Sequence, residues 1–338
     1  MITRDGKDYF IVDGHIHIWD GSEANCRNDY GRGWTQCFFD YHNALSPEEQ
    51  LWSKERFEKI EKDQLVQDVL VDGGVDVGIF NPTVLSAFYY TGFRRFQEAV
   101  ELVQEHPGRF ILNGAFDPRL GQQGLEDFER EVAEHNYQGV KLYTAEWQGD
   151  SRGYALNDPE TYVYLEKCRE LGVKNIHVHK GPTVWPLNRD AFDVHDVDYA
   201  ATDFPDLNFI VEHVGLPRLE DFCWIATQES NVYAGMAVAM PFIHSRPRYF
   251  AQIIGELEYW LGEDKILFGS DYAIWTPRWL VEKFLAFQIP EDLQGEYGVL
   301  TDEQKAKVLG LNAAALYGIK VPSGVVGATP APDSVLVP

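Results

Sequence analysis

Basic residues are scarce in this chain: 29 Lys and Arg stand against 53 Asp and Glu among 338 residues, a formal charge of −24. A surface of that sign repels phosphate backbones and anionic bilayers, so neither a nucleic acid nor a membrane is an expected partner. It says little about a small-molecule substrate, because a local pocket can carry the opposite sign. Cysteine is sparser still. Cys26, Cys37, Cys168 and Cys223 show no C-x-x-C spacing, which argues against a zinc ribbon or a redox pair. Four scattered thiols fit a reducing compartment. No run approaches the ~20 apolar residues that span a bilayer, and the opening MITRDGKDYF lacks an apolar signal core. The expected setting is the cytoplasm.

Apolar and aromatic residues are plentiful, at 45% and 14%, enough for a large core. Eight short apolar runs read as strands: 9–17, 75–81, 109–116, 139–143, 173–179, 207–213, 231–236 and 265–271. Several are continuously apolar, as parallel strands covered on both faces are. Helical signals fall between them. Asp158 and Pro159 read as N-cap and first helical position, Tyr162, Leu165, Cys168 and Leu171 as a stripe, and Gly172 as a stop. Thr301 and Gln304 form a capping-box pattern, and Gly318 is a second stop.

After the first interval, successive strand ends lie 35, 27, 36, 34, 23 and 35 residues apart, each room for one helix and one strand. The expected fold is a (β/α)8 TIM barrel in the α/β class, a single unit over residues 1–320. An open doubly wound sheet would advertise a glycine-rich phosphate loop after its first strand, and none is present. The first interval, from 17 to 81, is 64 residues. Its segment 21–58 is aromatic and irregular until helical character returns near Glu55, and reads as an inserted lid loop over the barrel mouth. Residues 321–338, rich in Pro, Ala and Val, read as an extended C-terminal tail.

The strand ends carry the chemistry. Residues i and i+2 of a strand share a face, so His15 and His17 of IVDGHIHIWD project together. His177 and His179 repeat the pattern, His213 ends the sixth strand, and Asp271 ends the eighth. Five of the ten histidines fall at three strand ends, where barrel active sites sit. Two imidazoles on one rigid strand suit a divalent metal. Glu212 alternates with His213 and is expected on the opposite face, in a structural role.

VDGHIHIWD, LFGSDYAIWTP and LGLNAAALYG together resemble the amidohydrolase superfamily, in particular the amidohydrolase-2 (amidohydrolase-related) family of metal-dependent hydrolases and decarboxylases. The resemblance implies His15, His17, His179 and Asp271 as ligands of one divalent metal, with Asp271 and His213 as catalytic groups. Zinc is the first expectation, and manganese, cobalt or iron also accept such donors. His179 is preferred to His177 because it directly precedes the KGP loop, which leaves His177 a hydrogen-bonded core role. Lys141 matches the position of a carbamylated, metal-bridging lysine in some superfamily members. A substrate-facing lysine and one metal are expected here.

Around that site, Trp19, Trp34, Tyr143 and Trp275 are candidate walls for an apolar or aromatic substrate, and Arg246, with His244 and Arg248, a candidate carboxylate anchor. The expected reaction is hydrolysis of a small cyclic or aromatic substrate by a metal-activated water. The alternative is non-oxidative decarboxylation of an aromatic or unsaturated acid. Arginines aimed at a dry aromatic pocket would favour the second, a roomy wet metal position the first. Whether the chain forms a homo-oligomer is open. A third reading keeps the barrel as a non-catalytic binding partner. It predicts that Asp271→Asn leaves biological activity intact, and loss of activity in a folded D271N protein removes it.

Overall fold

The computed structural model describes residues 1–328; the last ten residues of the expected tail lie outside the described residues. A short antiparallel hairpin, β1 (Ile2–Arg4) and β2 (Lys7–Tyr9), precedes the barrel. The eight expected strands follow in order: β3 (Val12–Ile16), β4 (Val77–Phe80), β5 (Phe110–Leu112), β6 (Gly139–Leu142), β7 (Asn175–His179), β8 (Asn208–Glu212), β9 (Val232–Gly235) and β10 (Ile266–Leu267). All pairings among them are parallel, in the orders β3-β4-β5 and β6-β7-β8-β9-β10.

Backbone hydrogen bonds join the two sheets at both seams. Gly114 N–H donates to Gly139 O at 2.9 Å and Lys141 N–H to Gly114 O at 2.8 Å. At the other seam Gly14 N–H donates to Phe268 O, Asp271 N–H to His15 O and His17 N–H to Tyr272 O, at 3.0, 3.0 and 2.6 Å. The ring of eight is closed, so no barrel strand keeps an open edge. Buried Asp13 reinforces the second seam, its Oδ1 accepting from Ser270 N–H at 2.9 Å and His15 N–H at 3.3 Å.

The helix Pro159–Leu171 starts and stops where the sequence signals put it, with Gly172 left-handed at φ 75°. Asp158 is its N-cap residue, but the side chain accepts instead from Ala155 N–H at 2.8 Å. The Thr301–Gln304 capping box has both of its bonds.

The insertion differs from the expected irregular loop. Its longest element is a helix of 17 residues, α1 (Asp29–Leu45), capped by the Asn28 side chain, and a shorter helix, α2 (Lys54–Glu58), follows. Glycines at 31 and 33 hide its period, yet Gly31, Trp34, Thr35, Phe38 and His42 form its buried face. Gly31 is there for close approach: a Cβ would meet Phe88 O at 2.7 Å. His42 pins α1 to the barrel, Nδ1–H donating to Ile274 O at 2.7 Å while Nε2 accepts from Trp52 N–H at 2.9 Å.

Away from the barrel mouth, Glu258 is largely buried on the helix Pro247–Leu261. Its Oε2 accepts from Gln304, but Oε1 has no partner. Burial pushes its carboxyl up to about 7. A raised carboxyl keeps its proton longer in the folded chain than in the unfolded one, so its contribution to stability falls as pH climbs from about 4.5 to 7. Glu258→Gln is therefore expected to raise Tm at pH 8 by about 2 °C or more and to leave it unchanged near pH 4. Thermal melts of both proteins across that range check it.

Candidate metal centre

The strand register assembles the site at the C-terminal end of the barrel. Lys141 pairs with His177, His177 with Ile210, His179 with Glu212, and Glu212 with Gly235. Glu212 thus lies level with His179 and faces the barrel interior, contrary to the expected outward position. Alternation fails one residue later. His213 and Val214 are left-handed, at φ 66° and 47°, and this turn brings His213 inward beside Glu212. Asp271, at φ 58°, turns in the same way after β10, and Val238, at φ 63°, after β9. Non-glycine residues pay for this conformation, and such costs concentrate at functional sites. Gly235 makes room for the carboxylate, since a Cβ there would meet Glu212 Oε2 at 2.3 Å.

Glu212 organises two histidines. Its Oε1 accepts from His177 Nδ1–H and lies 2.9 Å from His15 Nδ1. The other nitrogen of His177 accepts from the Tyr317 hydroxyl at 2.6 Å, and that hydroxyl accepts from Asn113 Nδ2 at 2.9 Å. Asn113 also donates to Asn81 Oδ1, and Asn81 to Gly14 O, at 3.0 and 2.8 Å. Both nitrogens of His177 are therefore spent beneath the site. By drawing the His15 proton to Nδ1, Glu212 leaves Nε2 free, 3.8 Å from Asp271 Oδ1 and 3.4 Å from Lys141 Nζ. His17 Nε2 lies 3.1 Å from the same Asp271 oxygen.

A second chain sets the opposite wall. His213 Nδ1–H donates to Ala237 O at 2.9 Å, so its Nε2 is an acceptor. It takes the His179 Nδ1–H at 2.9 Å, which leaves His179 Nε2 bare, 3.4 Å from the Tyr143 hydroxyl. Tyr143 stacks on His179 with centroids 4.2 Å apart.

Donor atoms of His15, His17 and Asp271 all lie within 4.8 Å of one another, and so do those of His15, His177 and Glu212. Only the first group opens on a cavity, one of about 30 Å³ that His179 and His213 also line. Protonation suits a cation there. Burial, the largest effect, lowers His15 to about 3, lowers His213, and takes His179 well below the imidazole range. Burial would raise Asp271, but the His17 hydrogen bond and the neighbouring imidazoles outweigh it and hold the carboxyl well below the carboxylate range. Bare imidazoles beside an ionised carboxylate are what a divalent metal binds. These residues fit such an ion.

The remaining candidates separate. Tyr143, Lys141 and Trp275 line the cavity, with Phe38 and Tyr41 of α1. Burial lowers Lys141 to about 8, and Trp275 Nε1 has no hydrogen-bond partner. Trp19 does not line it: its Nε1 donates to Phe57 O at 2.8 Å and its ring stacks on Phe93, anchoring the insertion. Trp34 packs behind Tyr143. Arg246 is exposed and lies over Tyr249, Arg248 pairs with Asp292, and His244 is exposed. The structure does not bring Arg246 to the cavity, because the strand-end segment folds into a short helix, Phe242–Ser245, that carries it outward. Among the described residues no helix is long and apolar enough to cross a membrane.

Comparison with known proteins follows the same lines. The amidohydrolase family model matches residues 12–319. Among solved structures, an uncharacterised TIM-barrel protein from Bordetella bronchiseptica superposes with a TM-score of 0.68 at 17% identity, covering 91% of this chain and 99% of that one. A 2,6-dihydroxybenzoate decarboxylase complexed with 2,6-dihydroxybenzoate gives 0.59 at 14%, covering 92% and 99%. A probable 2-pyrone-4,6-dicarboxylic acid hydrolase from Acinetobacter baumannii, with citric acid bound, gives 0.56 at 11%, covering 91% and 99%. These likenesses show the barrel fold. No curated protein sequence matches the chain.

Two outcomes test the site. Elemental analysis is expected to find stoichiometric metal in the parent and none in the double variant His15→Ala, His17→Ala. Glu212→Gln keeps an oxygen for the two imidazoles but removes the charge that draws their protons, and should bind metal about 10–100-fold more weakly in chelator competition, with its fold intact by circular dichroism.

Proposed function

The chain belongs to the amidohydrolase-2 family, and from that premise we propose that it is a metal-dependent decarboxylase of a small aromatic or unsaturated carboxylic acid. Members of this family are metal-dependent hydrolases, hydratases and decarboxylases. One observation carries the choice among them: beyond the metal donors, the cavity is walled largely by apolar and aromatic side chains, Phe38, Tyr41, Tyr143, Val184, Ile274 and Trp275, with Lys141 its one cation. Water stabilises a localised carboxylate better than the dispersed charge that forms as carbon dioxide leaves. Taking the reacting carboxylate into this cavity removes that advantage.

His15, His17, His179 and Asp271 would hold the ion. Bound there, a divalent metal supplies Lewis acidity and a grip on the substrate's oxygens. Zinc is the first candidate, with manganese, cobalt or iron also suited to these donors. The chain's own groups do the rest. Lys141 faces the acid with a donor whose charge burial has weakened. Trp275 Nε1–H offers a second, unspent donor. The acid would enter as its carboxylate, and a solvent-derived proton relayed by Asp271 would pass to the ring carbon. As the carbon–carbon bond breaks, its electron pair stays with the ring, so the acid becomes the arene and carbon dioxide and Asp271 is again a carboxylate. His213 holds His179 and the cavity wall in place. The hydrolase reading keeps one specific support: an ionised Asp271 is equally a ready acceptor for a proton from water.

A panel of hydroxybenzoic and unsaturated acids, offered to the metal-loaded protein in D2O, distinguishes the two. Carbon dioxide release with one deuterium at the vacated carbon is expected, and His213→Ala, which removes the acceptor that orients His179, should weaken metal binding about 10–100-fold and lower turnover with it. Opening of a lactone or amide, with no carbon dioxide from any acid, sinks the decarboxylase in favour of the hydrolase.

A further inference from the structure

The metal cavity, at about 30 Å³, has no room for an aromatic ring, but it has a neighbour that does. A second chamber of about 250 Å³ meets it at Lys141 and Tyr143, which line both. That volume approaches the low end of small-molecule sites. It opens outward past half-exposed Leu120, between the strand ends of β5 and β6 and the helix Gly121–His135. At its inner end Lys141 Nζ stands 3.4 Å from His15 Nε2.

Arg94 lines this chamber and is the unusual residue in it. Its Nη1 is buried without a hydrogen-bond partner, and no carboxylate lies within 4 Å of its guanidinium among the described residues. In a chain of net charge −24 an unpaired, partly buried guanidinium is conspicuous. Its one compensation is a place over the Phe96 ring, 4.7 Å from the centroid. The chamber's acids are all engaged elsewhere. Asp117 pairs with Arg119 and Asp127 with Arg130, both at 2.7 Å. Glu131 accepts from the Tyr137 hydroxyl at 3.0 Å. Glu146, its carboxyl pushed up by burial, accepts from Val84 and Leu85 N–H at 3.0 Å. A guanidinium left open in a chamber presents the fork that a carboxylate fills.

We propose that this chamber is a second subsite of the same active centre: it holds the body of a di-acid, with Arg94 anchoring the acid group that does not react, while the other reaches past Lys141 and Tyr143 to the metal donors. The inference rests on the carboxylic-acid reading above and narrows its substrate class to acids carrying a second anionic group. Arg94 is then a specificity residue.

Binding without turnover tests it. The metal-loaded protein is titrated calorimetrically with benzene-1,3-dicarboxylate and with benzoate. The dicarboxylate is expected to bind at least tenfold more tightly. Arg94→Gln should abolish that preference while benzoate affinity stays within twofold, and Arg94→Lys should retain part of it. Equal affinity of the parent for both ligands overturns the proposal. So does an R94Q protein that keeps the preference, or one that loses both ligands equally with a lowered Tm, which marks a structural arginine. Preference without carbon dioxide release would leave the subsite standing and remove the decarboxylase. Release of carbon dioxide from monocarboxylates by R94Q at the parent's rate, with no dicarboxylate preference in the parent, would do the reverse.

Discussion

The carboxylate of Glu212 is shared by two imidazoles, and the rest of the site depends on that sharing. One charge, buried at the level of the β7–β9 register, fixes His177 beneath the site and turns the free nitrogen of His15 toward Asp271. A buried carboxylate is costly unless every strong acceptor is used. Here two ring N–H groups meet it, and burial notwithstanding, its carboxyl stays well below the carboxylate range because His15 and Lys141 favour the charged form. The Tyr317 hydroxyl extends the arrangement to the helix Asn312–Tyr317, the last among the described residues, which thus supports the floor of the site.

Left-handed backbone is the second device. A strand can offer only alternate residues to the barrel interior, yet Glu212 and His213 both face it. The turn at His213 and Val214 makes that possible, and the turn at Asp271 closes the ring of donors against β3. Conformational cost at these residues is held by the closed hydrogen-bonded barrel below them.

The insertion supplies part of the cavity wall. Helix α1 carries Phe38 and Tyr41 into the cavity wall and is tied to the loop after β10 through His42. Trp19, stacked on Phe93 and bonded to Phe57 O, fixes both ends of the same insertion. The roomier chamber beside Lys141 adjoins this cavity and carries the unpaired Arg94.

Much of the fold is legible in the sequence, because continuous apolar runs at regular spacing report parallel strands, and caps such as Thr301 and stops such as Gly172 are local chemistry. His15, His17, His179, His213 and Asp271 could be placed at strand ends for the same reason: strand position is a matter of counting. Helix α1 was readable from the burial period of Gly31, Trp34, Phe38 and His42, but two glycines and a crowd of aromatics masked it. Side-chain direction after a strand ends is another matter. Nothing local says that His213 turns left-handed, so Glu212 passed for an outward residue, and nothing says that the segment after β9 coils away, so Arg246 passed for a substrate anchor. Arg94 and Asn81 lie in no motif, and LGLNAAALYG, which contains Tyr317, says nothing of that hydroxyl's role. Their roles come from distances between residues far apart in the chain, which only closure of the barrel defines.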